Sequence, residues 1–222
     1  MTNEKIEIEK KELQDKYRDI LWLDNRFGYF NDPRDGNRYK VVKIGKQIWF
    51  AENFRLILKK GLFSKKHSWI PNDKFDNIFI FGFLYDWKTA CDLAPIGWHL
   101  PSDNEWTQME IFLGLSEKEL DNLNSFGEIG VGIGTKLKST TDWLENGNGN
   151  NESGFNAFPA GYYDTYRKFE TFGKNAFFWT STPGWQRTLY ASISKISHSR
   201  AIASNIVNNA LENGYSVRYV KD

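Results

Sequence analysis

The sequence predicts an α+β fold. Three observations predict it. Apolar residues recur at helical spacing near the N-terminus and in capped segments further on. Short β-rich runs lie on both sides of those capped segments. Long Gly- and Asn-rich loops separate the later runs. The 222 residues divide into an N-terminal helical extension, 1–28, and a main domain, 29–222.

A helix is predicted over 4–23, where Leu13, Tyr17, Ile20 and Leu21 fall at helical spacing between charges. Seven acidic and six basic residues leave positions 1–28 at −1. The roughly three heptads of a coiled coil are absent, so the helix is read as packed on the domain that follows. Self-association through residues 4–23 is the alternative. Asp32-Pro33-Arg34-Asp35-Gly36-Asn37 is a turn cluster. It precedes a strand, Tyr39–Ile44, and Gly45-Lys46 makes a tight hairpin turn into Gln47–Ala51. Residues 55–79 read as an irregular connection.

Two short helices follow. One covers Asp86–Leu93. The other opens at Ser102-Asp103-Asn104-Glu105, a capping box in which serine and glutamate satisfy each other's orphan backbone donors. Trp106, Met109, Phe112 and Leu113 form its apolar face. Ser116 with Glu119 repeats the pattern for a third helix. Residues 124–156 are rich in Gly and Asn, and Glu145-Asn146-Gly147-Asn148-Gly149-Asn150-Asn151 is an exposed loop by composition. Strand-like runs close the chain at Phe155–Phe158, Ala176–Thr180, Thr188–Ser192 and Tyr215–Val220.

Composition excludes several classes. Thirty-six aromatic residues are incompatible with disorder. A net charge of +1 advertises neither nucleic acid nor a membrane surface. No apolar run reaches the roughly 18 residues of a spanning helix. A single cysteine excludes an internal disulfide framework and a multi-cysteine zinc site. Charges at Glu4, Lys5, Glu7, Glu9, Lys10 and Lys11 break any apolar signal segment, which predicts a cytoplasmic location. Cell-surface or secreted placement is the alternative for a chain whose signal segment has been removed.

The chemical motifs are mostly negative. In Gly130-Val131-Gly132-Ile133-Gly134-Thr135-Lys136 a threonine separates glycine from lysine and no Ser/Thr follows, so the phosphate-loop pattern fails. His67, His99 and His198 have no histidine three or four residues away, so no helix presents a metal pair. His99 reads as a packed core or turn residue. No Gly-x-Ser-x-Gly elbow occurs. Cys91 lies in an apolar helix and reads as an inert thiol. Asp32, Asp35 and Asn37 do not match a calcium loop. No catalytic residue, metal or cofactor is therefore assigned, calcium having no supporting motif.

The C-terminal third is more informative. Between Thr171 and Leu211 there is no Asp or Glu, whereas Arg, Trp, Tyr and Asn recur. Those residue types make binding surfaces. Trp185, Arg187, Tyr190, His198, Arg200, Asn205, Asn208 and Asn209 are the candidate ligand-binding residues. The plainer alternative is a set of solvated strand faces.

An ordered set of motifs resembles the Fibrobacter succinogenes major paralogous domain family. It runs from Asp35-Gly36-Asn37-Arg38-Tyr39-Lys40-Val41-Val42-Lys43-Ile44-Gly45 and Gln47-Ile48-Trp49-Phe50-Ala51-Glu52-Asn53 through Leu84-Tyr85-Asp86-Trp87 to Pro95-Ile96-Gly97-Trp98-His99-Leu100-Pro101-Ser102-Asp103-Asn104-Glu105-Trp106. It continues with Lys136-Leu137-Lys138-Ser139-Thr140, Gly154-Phe155-Asn156-Ala157-Phe158-Pro159-Ala160-Gly161 and Phe178-Trp179-Thr180-Ser181-Thr182. It ends with Gly214-Tyr215-Ser216-Val217-Arg218-Tyr219-Val220-Lys221-Asp222. The resemblance implies a C-type-lectin-like fold, distantly related to formylglycine-generating enzymes, and implies an activity only weakly. Two positions where the family often carries cysteine are Ala94 and Tyr219 here, which suits a reducing compartment. Cys91 alone does not supply the cysteine-based site of formylglycine-generating enzymes. The Glu-Pro-Asn and Gln-Pro-Asp tripeptides of calcium-dependent lectins are absent.

The function expected is a non-catalytic binding module whose C-terminal loops take a protein or glycan ligand. Alternatives are a structural or assembly protein, or a variable target-recognition protein of the diversity-generating-retroelement type. An enzyme of the formylglycine-generating type is the third.

Overall fold

The computed structural model describes residues 3–57, 67–116, 119, 127–129, 132–183, 185–190, 196–200 and 210–222, with the backbone alone at 127–129, 185, 190, 196–200 and 210. The fold is α+β. Helix α1 (Asn3–Lys16) leads into β1 (Ile20–Trp22), β2 (Phe27–Asn31), β3 (Arg38–Ile44), β4 (Gln47–Phe50) and β5 (Ser68–Trp69). Then come α2 (Asn77–Phe81), β6 (Leu84–Tyr85), α3 (Trp87–Asp92), β7 (Trp98–His99), α4 (Asp103–Leu113), β8 (Gly127–Ile129) and α5 (Ile133–Leu137). The chain closes through β9 (Tyr162–Tyr163), β10 (Phe169–Glu170), β11 (Asn175–Trp179), β12 (Trp185–Tyr190), β13 (Ile196–Arg200) and β14 (Val220–Lys221).

Two antiparallel sheets carry the architecture. A six-stranded sheet has the order β1-β2-β3-β4-β14-β7, and a four-stranded sheet the order β11-β12-β13-β8. The first is buried on both faces, which explains its consecutive apolar residues. Val42, Ile44 and Trp49 enter one core cluster with Trp106, Phe155, Phe178 and Leu189. Their strand neighbours Tyr39, Val41, Ile48 and Phe50 enter a second with Leu13, Trp98, Trp179 and Tyr219. The centre of the first core is aromatic, with the Trp49 and Trp106 rings 5.0 Å apart edge to face.

The predicted hairpin forms as read, with Ile44 opposite Gln47. Gly45 takes a φ of +62°, the left-handed turn geometry that glycine adopts without steric cost. Asp86 caps α3 by accepting from the Thr89 N–H, and the Ser102–Glu105 capping box opens α4. Ser116 N–H and hydroxyl both donate to Glu119, but the body of the predicted third helix lies outside the described residues.

Four segments differ from expectation. Helix α1 ends at Lys16, not at 23. Ile20 and Trp22 are buried while Leu21 is exposed, a period of two, and the strand pairs antiparallel with β2. Helical spacing at Ile20 and Leu21 was a coincidence that strand pairing overrode. Residues 55–79 contain β5 and the start of α2, where only a connection was expected. Residues 155–158 contribute one isolated bridge, Lys138 with Ala157, in place of a strand. The last predicted strand is bridges at Tyr215 and Ser216 followed by β14.

Arg218 welds these layers. It is fully buried, and its guanidinium donates to Asn53 Oδ1 (2.7 Å), Phe50 O (3.0 Å), Phe155 O (2.6 Å) and Asn156 O (2.9 Å). The Phe155 ring lies 4.5 Å from it. Burial pulls its pKa down to about 9 against the opposing charge of Glu52, so it stays protonated at neutral pH.

Candidate ligand-binding face

Strand register decides where the sequence candidates lie. Trp185 is opposite Arg200, and Arg187 is opposite His198. Directly opposed residues share a face, so these four positions share one face of the four-stranded sheet. Tyr190, opposite Asn175, belongs to the other face. Asn205, Asn208 and Asn209 lie outside the described residues.

Arg187 itself turns inward. Its side chain is fully buried, with Nε donating to Glu110 Oε1 at 2.9 Å. Nη1 pairs with Asp103, and Nη2 donates to Asp103 O (3.1 Å) and Thr107 Oγ1 (3.3 Å). Arg187, expected on the ligand face, is instead an anchor between β12 and α4. Trp179 is likewise buried, its indole N–H donating to Tyr85 O at 2.7 Å. Sequence did carry a signal for the anchor. Trp106, Met109, Glu110 and Leu113 form one buried helical stripe, and a carboxylate in such a stripe demands a cation.

Other rings pack beside the returning C-terminal segment. Gly214 exchanges two backbone hydrogen bonds with Tyr163, of 3.0 and 2.8 Å. A Cβ on Gly214 would come within 2.6 Å of the Trp69 ring, so only glycine fits. Trp69 stacks on Tyr163 at 4.6 Å and 18°, and Tyr163 meets Phe169 edge to face at 5.0 Å. Helix α2 buries Phe81 against Phe158 and Phe172 and turns Phe79 and Ile80 outward. Phe79 is 60% exposed and pairs at 5.7 Å with Phe75, 64% exposed. Tyr166, in the β9–β10 turn, is 77% exposed. Beyond Tyr163, Phe177 and Tyr215 stack 5.3 Å apart, and Tyr162 meets both edge to face. Sequence reading missed these rings because Trp69, Phe75 and Phe79 fall in a segment with neither helical nor strand period.

The reactive side chains have structural employment. His67 Nδ1 meets Asp86 Oδ2 at 2.6 Å, while the other Asp86 oxygen caps α3. His99 is half-exposed and not a core residue: Nδ1 meets Asp222 Oδ1 at 2.6 Å and Nε2 meets Glu105 Oε1 at 2.7 Å. Burial of the Cys91 thiol pushes its pKa up to about 11, which leaves it protonated at neutral pH. Asp32 and Asp35 spend their oxygens on Arg34, Asn37 and the Ile57 N–H. Among the described residues no three His, Cys, Asp or Glu side chains converge as a metal site.

Residues 42–221 match the family model of the Fibrobacter succinogenes major domain. The chain belongs to this family. Comparison with curated proteins and with solved structures finds no match. In this major domain the shared motifs become the scaffold: β3 and β4, the β7–α4 corner, and the closing segment with Arg218. At one of its departures, Tyr219, the phenol is buried and donates to Ala90 O on α3 at 2.8 Å. Among the described residues no helix is long and apolar enough to cross a membrane.

Proposed function

We propose that this major domain is a non-catalytic binding module, working without metal or cofactor, that recognises a protein or a glycan on a C-type-lectin-like scaffold. Two observations carry this reading: the Trp69–Tyr163 stack beside Gly214, where the segment returns from the C-terminal loops, and the exposed rings Phe75, Phe79 and Tyr166, of which Phe75 and Phe79 pair. Exposed aromatic clusters beyond scattered single residues mark interaction surfaces. Stacked rings lose little side-chain entropy when a ligand covers them.

Protein and glycan arrays probed with the wild-type chain and with a Phe75→Ser/Phe79→Ser/Tyr166→Ser variant test it. Ile96→Ser, at a position exposed on the α3–β7 loop, is the control. Hits retained by the control and lost by the triple variant support the reading and identify the ligand class. Hits indifferent to the triple variant overturn the assignment of these rings.

A further inference from the structure

A cleft opens where the β3–β4 hairpin turn meets the C-terminal end of α4 and residues 152–153. It encloses about 490 Å³ and is lined by Arg26, Lys43 and Lys136, with Phe112 and Glu152 at its walls. All three cations are half-buried. Lys136 donates to Leu113 O at 2.9 Å and lies 3.6 Å from the exposed Glu152 carboxylate. Arg26 Nη2 donates to the Glu152 backbone carbonyl at 2.6 Å, and its other guanidinium N–H groups have no hydrogen-bond partner among the described residues. Lys43 has no carboxylate partner among the described residues. The Phe112 ring, 63% exposed, rests on Gly45, where a Cβ would meet it at 3.0 Å.

Three cations facing one carboxylate leave the cleft at +2. Half-buried like charges repel one another and favour a ligand that brings the opposite charge. A phosphate monoester carries about −1.5 to −2 at neutral pH and offers three acceptor oxygens. Arginine and lysine are the residue types that hold it. The exposed Phe112 face is placed to contact the ring that the phosphate is attached to.

We infer that this cleft binds a phosphate monoester carried on a ring compound, a nucleotide or a sugar phosphate. This goes beyond the ring-face reading and uses different residues. It does not depend on the glycine-rich run as a phosphate loop: Lys136 acts through its side chain, from a helix too short to offer an N-terminal site.

Isothermal titration of the full chain with adenosine 5′-monophosphate, glucose 6-phosphate, adenosine and glucose tests the proposal. At least one monoester binds and its neutral parent does not; the tighter monoester names the source. Lys43→Glu weakens binding by about tenfold or more. Glu152→Gln removes the competing carboxylate and tightens binding severalfold, and added salt weakens it. Both substitutions are at partly or fully exposed side chains, and an unchanged melting temperature confirms that the fold is intact. Absence of binding by both monoesters, equal binding of the neutral parents, or affinity unmoved by both substitutions overturns the proposal.

Discussion

Glu110 and Arg187 are both fully buried, so each solvates the other's charge in a place water does not reach. Removing one partner strands the other. Arg187→Leu or Glu110→Leu alone is expected to cost about 3–5 kcal/mol in urea denaturation, and the double substitution to recover most of that. His99 gives a pH dependence. Burial lowers its pKa, but hydrogen bonds to Asp222 and Glu105, with their charges, outweigh that and raise it above the ordinary 6.5. Its contribution to stability is therefore complete below 6.5 and lost as pH rises through the raised folded value. Burial raises the Glu105 pKa, and hydrogen bonds from Ser102 and His99 overcome it, leaving a net shift below 4.5. Its contribution is complete above 4.5 and lost as pH falls through the lowered value. Melting temperatures from about pH 3 to about pH 9 are expected to peak between these limits, and His99→Gln to flatten the alkaline limb.

Helix α1 covers an edge. Strand β1 ends the six-stranded sheet, and the Gln14 side chain accepts from its Trp22 N–H at 3.2 Å. Leu13 is buried beneath the helix. An uncovered edge strand is a template for pairing with another chain. Deletion of residues 1–16 is therefore expected to increase self-association, measured by light scattering. A helix that itself builds oligomers would give the opposite result. At the start of α4, Ser102→Ala loses the capping box and is expected to cost about 1 kcal/mol. The capping boxes were readable because both partners lie three residues apart. The end of α1 was not, because pairing with β2, not helix propensity, determines it.

Both sheets share one core, since Trp49 and Val42 of the first pack with Phe178 and Leu189 of the second. Tryptophan fluorescence and far-UV circular dichroism are accordingly expected to report a single coincident unfolding transition. Cys91→Ser is expected to leave ligand binding unchanged, because the protonated, half-buried thiol takes no part in the ring face. Division of labour is visible at this scale. The buried arginines and the His99 clamp hold the strands, while Phe75, Phe79 and Tyr166 remain outside the core.

By itself the sequence determined the α+β class, the Gly45-Lys46 hairpin, the capped helices α3 and α4, and the family, because each rests on residues near one another in the chain or on an ordered set of motifs. Tertiary structure decided the rest. Arg187 meets α4 because strand register sets its face and the buried Glu110 needs a cation. Trp69 and Tyr163 become one stack only when Gly214 brings the last segment between distant loops. Side-chain direction and long-range charge pairing depend on contacts between residues far apart in sequence, and only the folded chain brings those residues together.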